Sequence, residues 1–232
     1  MWDNFFFIGL PYITIMLLFG GITYRSFSGI VSSYRGKWDW SARGDYLWTT
    51  RSTGFFGRAS MGPASLCLHW GILILFLAHL TGLIGGAYNL ASWVDFFRWA
   101  GLGGGILLLY GLAWAFVRRI TIPQVKAMST PDDYIVLLLL IIIGGLGLYQ
   151  SAVEQVFGIS YSAGPWIAGI FKLQPDASMI AGAPFVNKLH IIFALLFFAY
   201  LPFTKLVHVF SYPFKYITRP FISMRRYVAL KK

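Results

Sequence analysis

The sequence predicts an all-α, polytopic membrane protein with five transmembrane helices, its N-terminus outside and its C-terminus cytoplasmic. Composition is the first observation behind this. Of 232 residues, 57% are hydrophobic, 19% aromatic and only 12% charged, and the mean hydropathy is +0.66; too little polar surface remains to cover a water-soluble globule. The second observation is that five apolar runs reach or approach the roughly 20 residues a helix needs to cross a bilayer. The third is the placement of the positive charge, a net +11. Six Lys and Arg lie between the first two runs (Arg25, Arg35, Lys37, Arg43, Arg51, Arg58), three between the third and fourth (Arg118, Arg119, Lys126), and seven from Lys205 onward. Basic residues stay on the cytoplasmic side. Arg98, Lys172 and Lys188 fall near the opposite helix ends, and an odd number of spans agrees with termini on opposite sides. Read this way, the charge gives no reason to invoke nucleic acid.

Taken in order, the first helix spans 5–24. It follows Met-Trp-Asp-Asn with neither a basic leader nor a small-residue cleavage site, so it reads as a retained helix rather than a signal peptide. The inner connection after it carries Trp38, Trp40, Tyr46 and Trp48 among its basic residues, which suits an interfacial aromatic belt or a docking surface for another protein; the belt is the simpler reading. The second helix spans 61–88, the third 97–117 and the fourth 134–153. The stretch 158–182, rich in Gly, Pro and Ser, is expected to hold a short surface helix near Trp166 to Lys172. The fifth helix spans 184–210 and leads into a basic cytoplasmic tail at 211–232. No repeat is visible, and residues 1–232 read as a single membrane domain of the cytoplasmic (inner) membrane. Cys67 is the sole cysteine. That excludes a disulfide framework, a cysteine-ligated iron–sulfur cluster and Cys-x-x-Cys-His haem attachment, and leaves Cys67 as a small core residue.

Four histidines, His69, His79, His190 and His208, are the only ones present, and all lie in the second and fifth apolar runs. An ionisable side chain at membrane depth is costly and marks function by default. At 1.5 Å per residue, His69 and His79 stand roughly 15 Å apart along their helix, and His190 and His208 roughly 27 Å apart. Antiparallel packing then puts His69 level with His208 and His79 level with His190. Eighteen residues make five whole turns, placing His190 and His208 on one stripe; ten residues put His69 and His79 about 80° apart on neighbouring stripes. Two bis-imidazole haems, held without covalent attachment, are what such pairs would serve. With both axial positions filled, the iron would carry electrons rather than bind oxygen. Gly71, Gly82, Gly85 and Gly86, with Gly101 and Gly103 to Gly105, leave room for a flat macrocycle or for close helix packing.

The segment LPFTKLVHVFSYPFKYITRP at residues 201–220 closely resembles the end of the last helix in the gamma subunit of respiratory nitrate reductase, a dihaem membrane cytochrome b. The step from His69 to His79 within SLCLHWGILILFLAHLTGL, the KLH at Lys188 to His190 and the PYI at Pro11 to Ile13 resemble that family too, and the likeness covers essentially the whole chain. The resemblance implies two haem b groups, the inner held by His69 and His208 and the outer by His79 and His190. It implies oxidation of menaquinol or ubiquinol near the outer haem, with electrons passing to an iron–sulfur subunit and then to a molybdenum catalytic subunit on the cytoplasmic side. The family's quinol pocket includes a basic residue near the start of the third helix; Arg98 is the nearest here, slightly displaced, and is equally an interfacial anchor beside Trp93 and Trp99. Lys188 and Lys205 flank ligands and suit either haem propionates or a membrane boundary.

The loop between the first two helices is longer and more aromatic than in that family. Related dihaem subunits serve sulfite-reductase-linked and heterodisulfide-reductase-like complexes, so an equivalent quinone-linked subunit of sulfur metabolism is the alternative. A histidine-lined metal transporter is a reading from another class. It would want carboxylates or sulfur ligands beside the histidines, and the spans lack both apart from Cys67. A haem-free anchor tethering a soluble enzyme is the third.

Overall fold

The computed structural model describes residues 2–34, 58–157 and 163–206, and among these all regular structure is helical. A turn at Trp2–Asn4 and a π-helical turn at Phe5–Gly9 lead into α1 (Leu10–Tyr34). There follow α2 (Arg58–Ala87), α3 (Ala91–Thr121), the short α4 (Pro123–Ala127), α5 (Pro131–Phe157), α6 (Gly164–Phe171), α7 (Ser178–Ala181) and α8 (Phe185–Tyr200). Five stretches are long and apolar enough to cross a membrane: Trp2–Arg25, Met61–Ala87, Ala91–Thr121, Pro131–Val153 and Phe185–Phe203. They are the five expected from hydropathy, and the short helix expected near Trp166 is α6, which buries Gly164, Trp166 and Ile170 rather than lying on the surface.

Helix ends follow local chemistry that hydropathy does not register. Pro11 has no N–H to offer the carbonyl of Phe7, and the turn before it opens so that Leu10 N–H reaches Phe5 O. The freed Phe7 carbonyl accepts the indole N–H of buried Trp166 at 2.9 Å. α2 closes with Leu90 N–H on Gly85 O, Asn89 N–H on Gly86 O and Asn89 at φ 56°, a Schellman stop with a residue type that tolerates the left-handed region. α3 ends where Pro123 forces Ile122 to be extended. α5 starts earlier than expected, at Pro131 rather than 134. Asp133 accepts the Thr130 N–H (2.9 Å) and hydroxyl (3.2 Å), with Pro131 in the first turn, so Asp133, ahead of the expected start at 134, is in fact part of the helix cap. Asp176 lies ahead of α7, and hydrogen bonds from Ser178 hold its carboxyl below the usual carboxylate range.

The last helix departs from the expectation of 184–210. α8 stops at Tyr200, Leu201–Phe203 tighten into a 3-10 turn and Thr204 is extended. Pro202 is the reason: it cannot donate to the carbonyl one turn back. Arg25 of α1 fixes the break by donating to Pro202 O (2.8 Å) and Thr204 O (3.2 Å), and Gly21 admits it, since a Cβ there would stand 2.7 Å from the Pro202 Cβ. The five-turn argument linking His190 to His208 therefore does not hold beyond Tyr200. His208, the tail 211–232 and the aromatics Trp38, Trp40, Tyr46 and Trp48 lie outside the described residues.

The spans pack in a row, α1 on α8, α8 on α5, α5 on α3 and α3 on α2. Leu108, Leu112 and Ala115 of α3 bury Leu137 of α5 at one contact. At one end α6 crosses back, its Gly164 pressed against Gly86 and Ala87 of α2 and its Trp166 and Ile170 packed in a core with Phe7, Ala177, Ile180 and Ala183. The histidine-bearing helices α2 and α8 are not packed neighbours, so a cleft separates them.

Candidate functional site

One wall of the cleft is held by the α2–α3 pair. Ala64, Gly71, Ala78 and Gly85 recur every seven residues along α2, the spacing that keeps one seam facing a partner helix. On the antiparallel α3, Gly111 meets Leu68 and Ala64, Gly104 meets Gly71 and Ile74, and Gly101 meets Ala78. A Cβ at Gly71 would stand 2.6 Å from the Leu108 nitrogen, and one at Gly111 would stand 2.7 Å from the Ala64 oxygen. Gly71 and Gly104 thus serve close helix packing, one of the two roles the sequence leaves open for them. Both His69 and His79 lie off the seam, and both are exposed.

Across the cleft, the ring centres of His79 and His190 are 6.1 Å apart with planes within 11° of parallel. His190 is fixed from behind by α5: its Nδ1 donates to Ile143 O at 3.0 Å, and a Cβ on Gly147 would come within 2.9 Å of its Cε1. His79 Nδ1 lies 2.7 Å from Leu75 O, and His69 Nδ1 lies 2.7 Å from Ser65 O. A carbonyl only accepts, so each of the three Nδ1 atoms carries the proton and each Nε2 presents a lone pair. Among the described residues no hydrogen bond engages those Nε2 atoms. This is the tautomer that metal-ligating histidine adopts when its outer nitrogen is tied to a carbonyl.

The donor set can be tested against a haem. Two imidazoles on opposite sides of one metal, each with a metal–nitrogen bond of about 2 Å, bring their ring centres to about 6 Å apart. The observed separation fits. A bare ion asks more of the protein, and among the described residues no three His, Cys, Asp or Glu side chains converge to hold one. The porphyrin supplies four nitrogens itself, so two imidazoles suffice.

Arg98 lies near the start of α3, three residues from Gly101, which faces Ala78; it is therefore within about one turn of His79 in height. Its guanidinium donates to Asp95 at 2.8 Å. Lys188 donates to Ala181 O at 2.9 Å. Lys205 pairs with Asp133 at 2.7 Å, and Tyr200 hydrogen-bonds Asp132 beside it. This end of the bundle gathers Arg25, Arg118, Arg119 and Lys205 around the start of α5.

Comparison with known proteins decides the family. A family profile described as nitrate reductase gamma subunit matches residues 3–227. The chain belongs to the nitrate reductase gamma subunit family. It is 29% identical to the nitrate reductase gamma chain of Bacillus subtilis over 94% of this chain and 95% of that one. It is 32% identical to the respiratory nitrate reductase 2 gamma chain of Escherichia coli over 83% and 89%. A more distant likeness, 21% over 62% of this chain and 45% of the relative, links it to the cytochrome b-like subunit of an Hdr-like menaquinol oxidoreductase of Archaeoglobus profundus. As a gamma subunit it is the membrane electron-transfer member of a nitrate reductase complex whose catalytic centre lies on another subunit, alongside an iron–sulfur subunit. Gamma subunits are cytochrome b-type and quinol-linked.

Sequence reasoning missed two residues of this site. Gly147 makes room for the His190 ring, and its signal was the run Gly144, Gly145, Gly147 in the middle of an apolar span. Ser65 lies one turn before His69, where its side chain reaches the imidazole.

Proposed function

We propose that this gamma subunit is a dihaem cytochrome b that takes electrons from menaquinol or ubiquinol near one membrane face and delivers them to an iron–sulfur and molybdenum partner at the other. His79 and His190 would hold the outer haem, and His69 with His208 the inner. The observation that carries this is the His79–His190 geometry, with parallel rings 6.1 Å apart and each Nδ1 committed to a carbonyl. When bound between these imidazoles, haem would supply a one-electron carrier. The chain's own residues do the rest: α5 fixes the angle of the His190 ring, α3 holds α2 at close range, and Arg98 stands at the height where a quinol headgroup could be oriented near His79. The basic end formed by Arg25, Arg118, Arg119 and Lys205 is assigned to the cytoplasm by the positive-inside tendency, which puts the N-terminus outside and the C-terminus inside a single membrane domain.

Spectroscopy tests this directly. A reduced-minus-oxidised spectrum of the complex in membranes should show low-spin b-type haem, and His190→Ala should remove one haem while sparing most of the other. Protein made with haem available that carries no iron would end the reading, and loss of the inner haem alone in His190→Ala would break the pairing.

A further inference from the structure

The geometry points to α6 as the strut that sets the separation of His79 from His190, with Gly164 and Trp166 as its two positioning residues; this rests on the haem reading above. The extended contacts that join α2 to α8 run the long way round, through α3 and α5. Each contact between packed helices admits a scatter of roughly 15–20° in crossing angle, and such changes add up along the row. A pair of imidazoles on one metal allows only about 0.2 Å in each bond. The row alone is therefore too loose to hold two rings at 6.1 Å.

α6 closes the row at the end where His79 and His190 meet. A Cβ on Gly164 would stand 2.4 Å from Ala87 N, 2.5 Å from the Gly86 carbonyl carbon and 2.6 Å from Leu83 O. All three are backbone atoms of the last turns of α2, which cannot swing aside. Leu83 and Gly86 lie roughly 6 Å and 10 Å beyond His79 along the helix. Two residues after Gly164, the buried Trp166 donates its indole N–H to Phe7 O at 2.9 Å and meets the Phe7 ring edge-on. Ile170 O accepts the Tyr12 hydroxyl at 3.1 Å. Phe7 and Tyr12 flank the start of α1, which packs on α8, and Ile191, Ile192 and Leu195 of α8 pack against the same core as Trp166 and Ile170. Ile191 is the neighbour of His190 in the chain. One short helix thus ties the last turns of α2 to the first turns of α1 and α8. Its register is fixed by a buried hydrogen bond that packing alone would leave open. The separation of the rings becomes a property of the folded chain, ordered before any cofactor arrives.

The test is low-temperature electron paramagnetic resonance with an optical redox titration of the assembled complex in membranes, comparing the natural chain with Gly164→Ala, Gly164→Val and Trp166→Phe. The signal to follow is the ferric low-spin line that disappears in His190→Ala, since that line responds to the orientation and distance of the two axial rings. Gly164→Val, which drives α6 off α2, should empty the site. Gly164→Ala and Trp166→Phe should keep the haem but shift its line and its midpoint, leaving any other haem unmoved. Trp166→Phe keeps most of the ring and carries the decision if the valine variant fails to assemble. A natural line and midpoint in both milder variants would overturn the assignment, because a helix that served stability alone would lower the melting temperature and leave both readings where they were. Failure of the haem reading looks different: no haem in the natural complex, or a full complement of haem in His190→Ala.

Discussion

A glycine opposite an imidazole governs how His190 is presented. Gly147 has no side chain where a Cβ would come within 2.9 Å of the ring, and the carbonyl of Ile143, one turn earlier on α5, accepts a hydrogen bond from the ring's Nδ1–H at 3.0 Å. Gly147→Ala must tilt the ring or part α5 from α8, an overpacking cost of roughly 1–3 kcal/mol. The expected outcome is loss of the haem assigned to His79 and His190, read as one missing component in the redox titration, with the other retained; an unchanged titration would show that the ring has room to give. The histidines themselves were legible, because an imidazole in an apolar run is conspicuous and antiparallel spans put His79 opposite His190 by arithmetic alone. Gly147 was not. A glycine's role depends on what approaches it, and the sequence does not say that α5 is the helix behind His190.

At the scale of elements, α8 is set by the chemistry of its end. Hydropathy runs on past Leu201, which is why 184–210 read as one helix; the missing N–H of Pro202 and the Arg25 bonds to Pro202 O and Thr204 O stop it at Tyr200. The chain leaving α8 is then tied to α5 through Lys205 and Asp133, whose side chain is 6% exposed. Removing one partner of such a pair strands a charge, and Asp133→Asn should destabilise the protein by on the order of 3 kcal/mol, with Lys205→Met somewhat milder because its side chain is 19% exposed. The double variant should recover much of the loss. Detergent unfolding of all four proteins completes the cycle, and additive effects would rule out coupling. The start of α5 teaches the same lesson from the other side: Thr130, Pro131 and Asp133 form a cap recognisable in sequence, yet two carboxylates beside an apolar run look like loop when hydropathy alone is consulted.

For the whole molecule, the sequence revealed the number of spans and the family, while the order in which the spans pack came from the structure. The small residues of α2 and α3 announced a close contact somewhere, but nothing in the chain announced that α8 would sit on α5 and α1 and stand off from α2. The distribution of charge predicts sidedness. A phosphatase fused to the C-terminus should be inactive and a fluorescent protein at the same place bright if the proposed orientation, with that end in the cytoplasm, holds; active phosphatase there would invert the assignment and move the proposed quinol site to the other face. The seam between α2 and α3 also has a geometric meaning. His69 and His79 share one rod clamped along its length by its neighbour, so their spacing, roughly 15 Å along the helix, is fixed by helical pitch rather than by any loop. Thermal motion that bends the surrounding bundle leaves the spacing along that rod nearly constant, which under the proposed ligation would hold the two cofactor positions at a steady separation whatever the soluble subunits do.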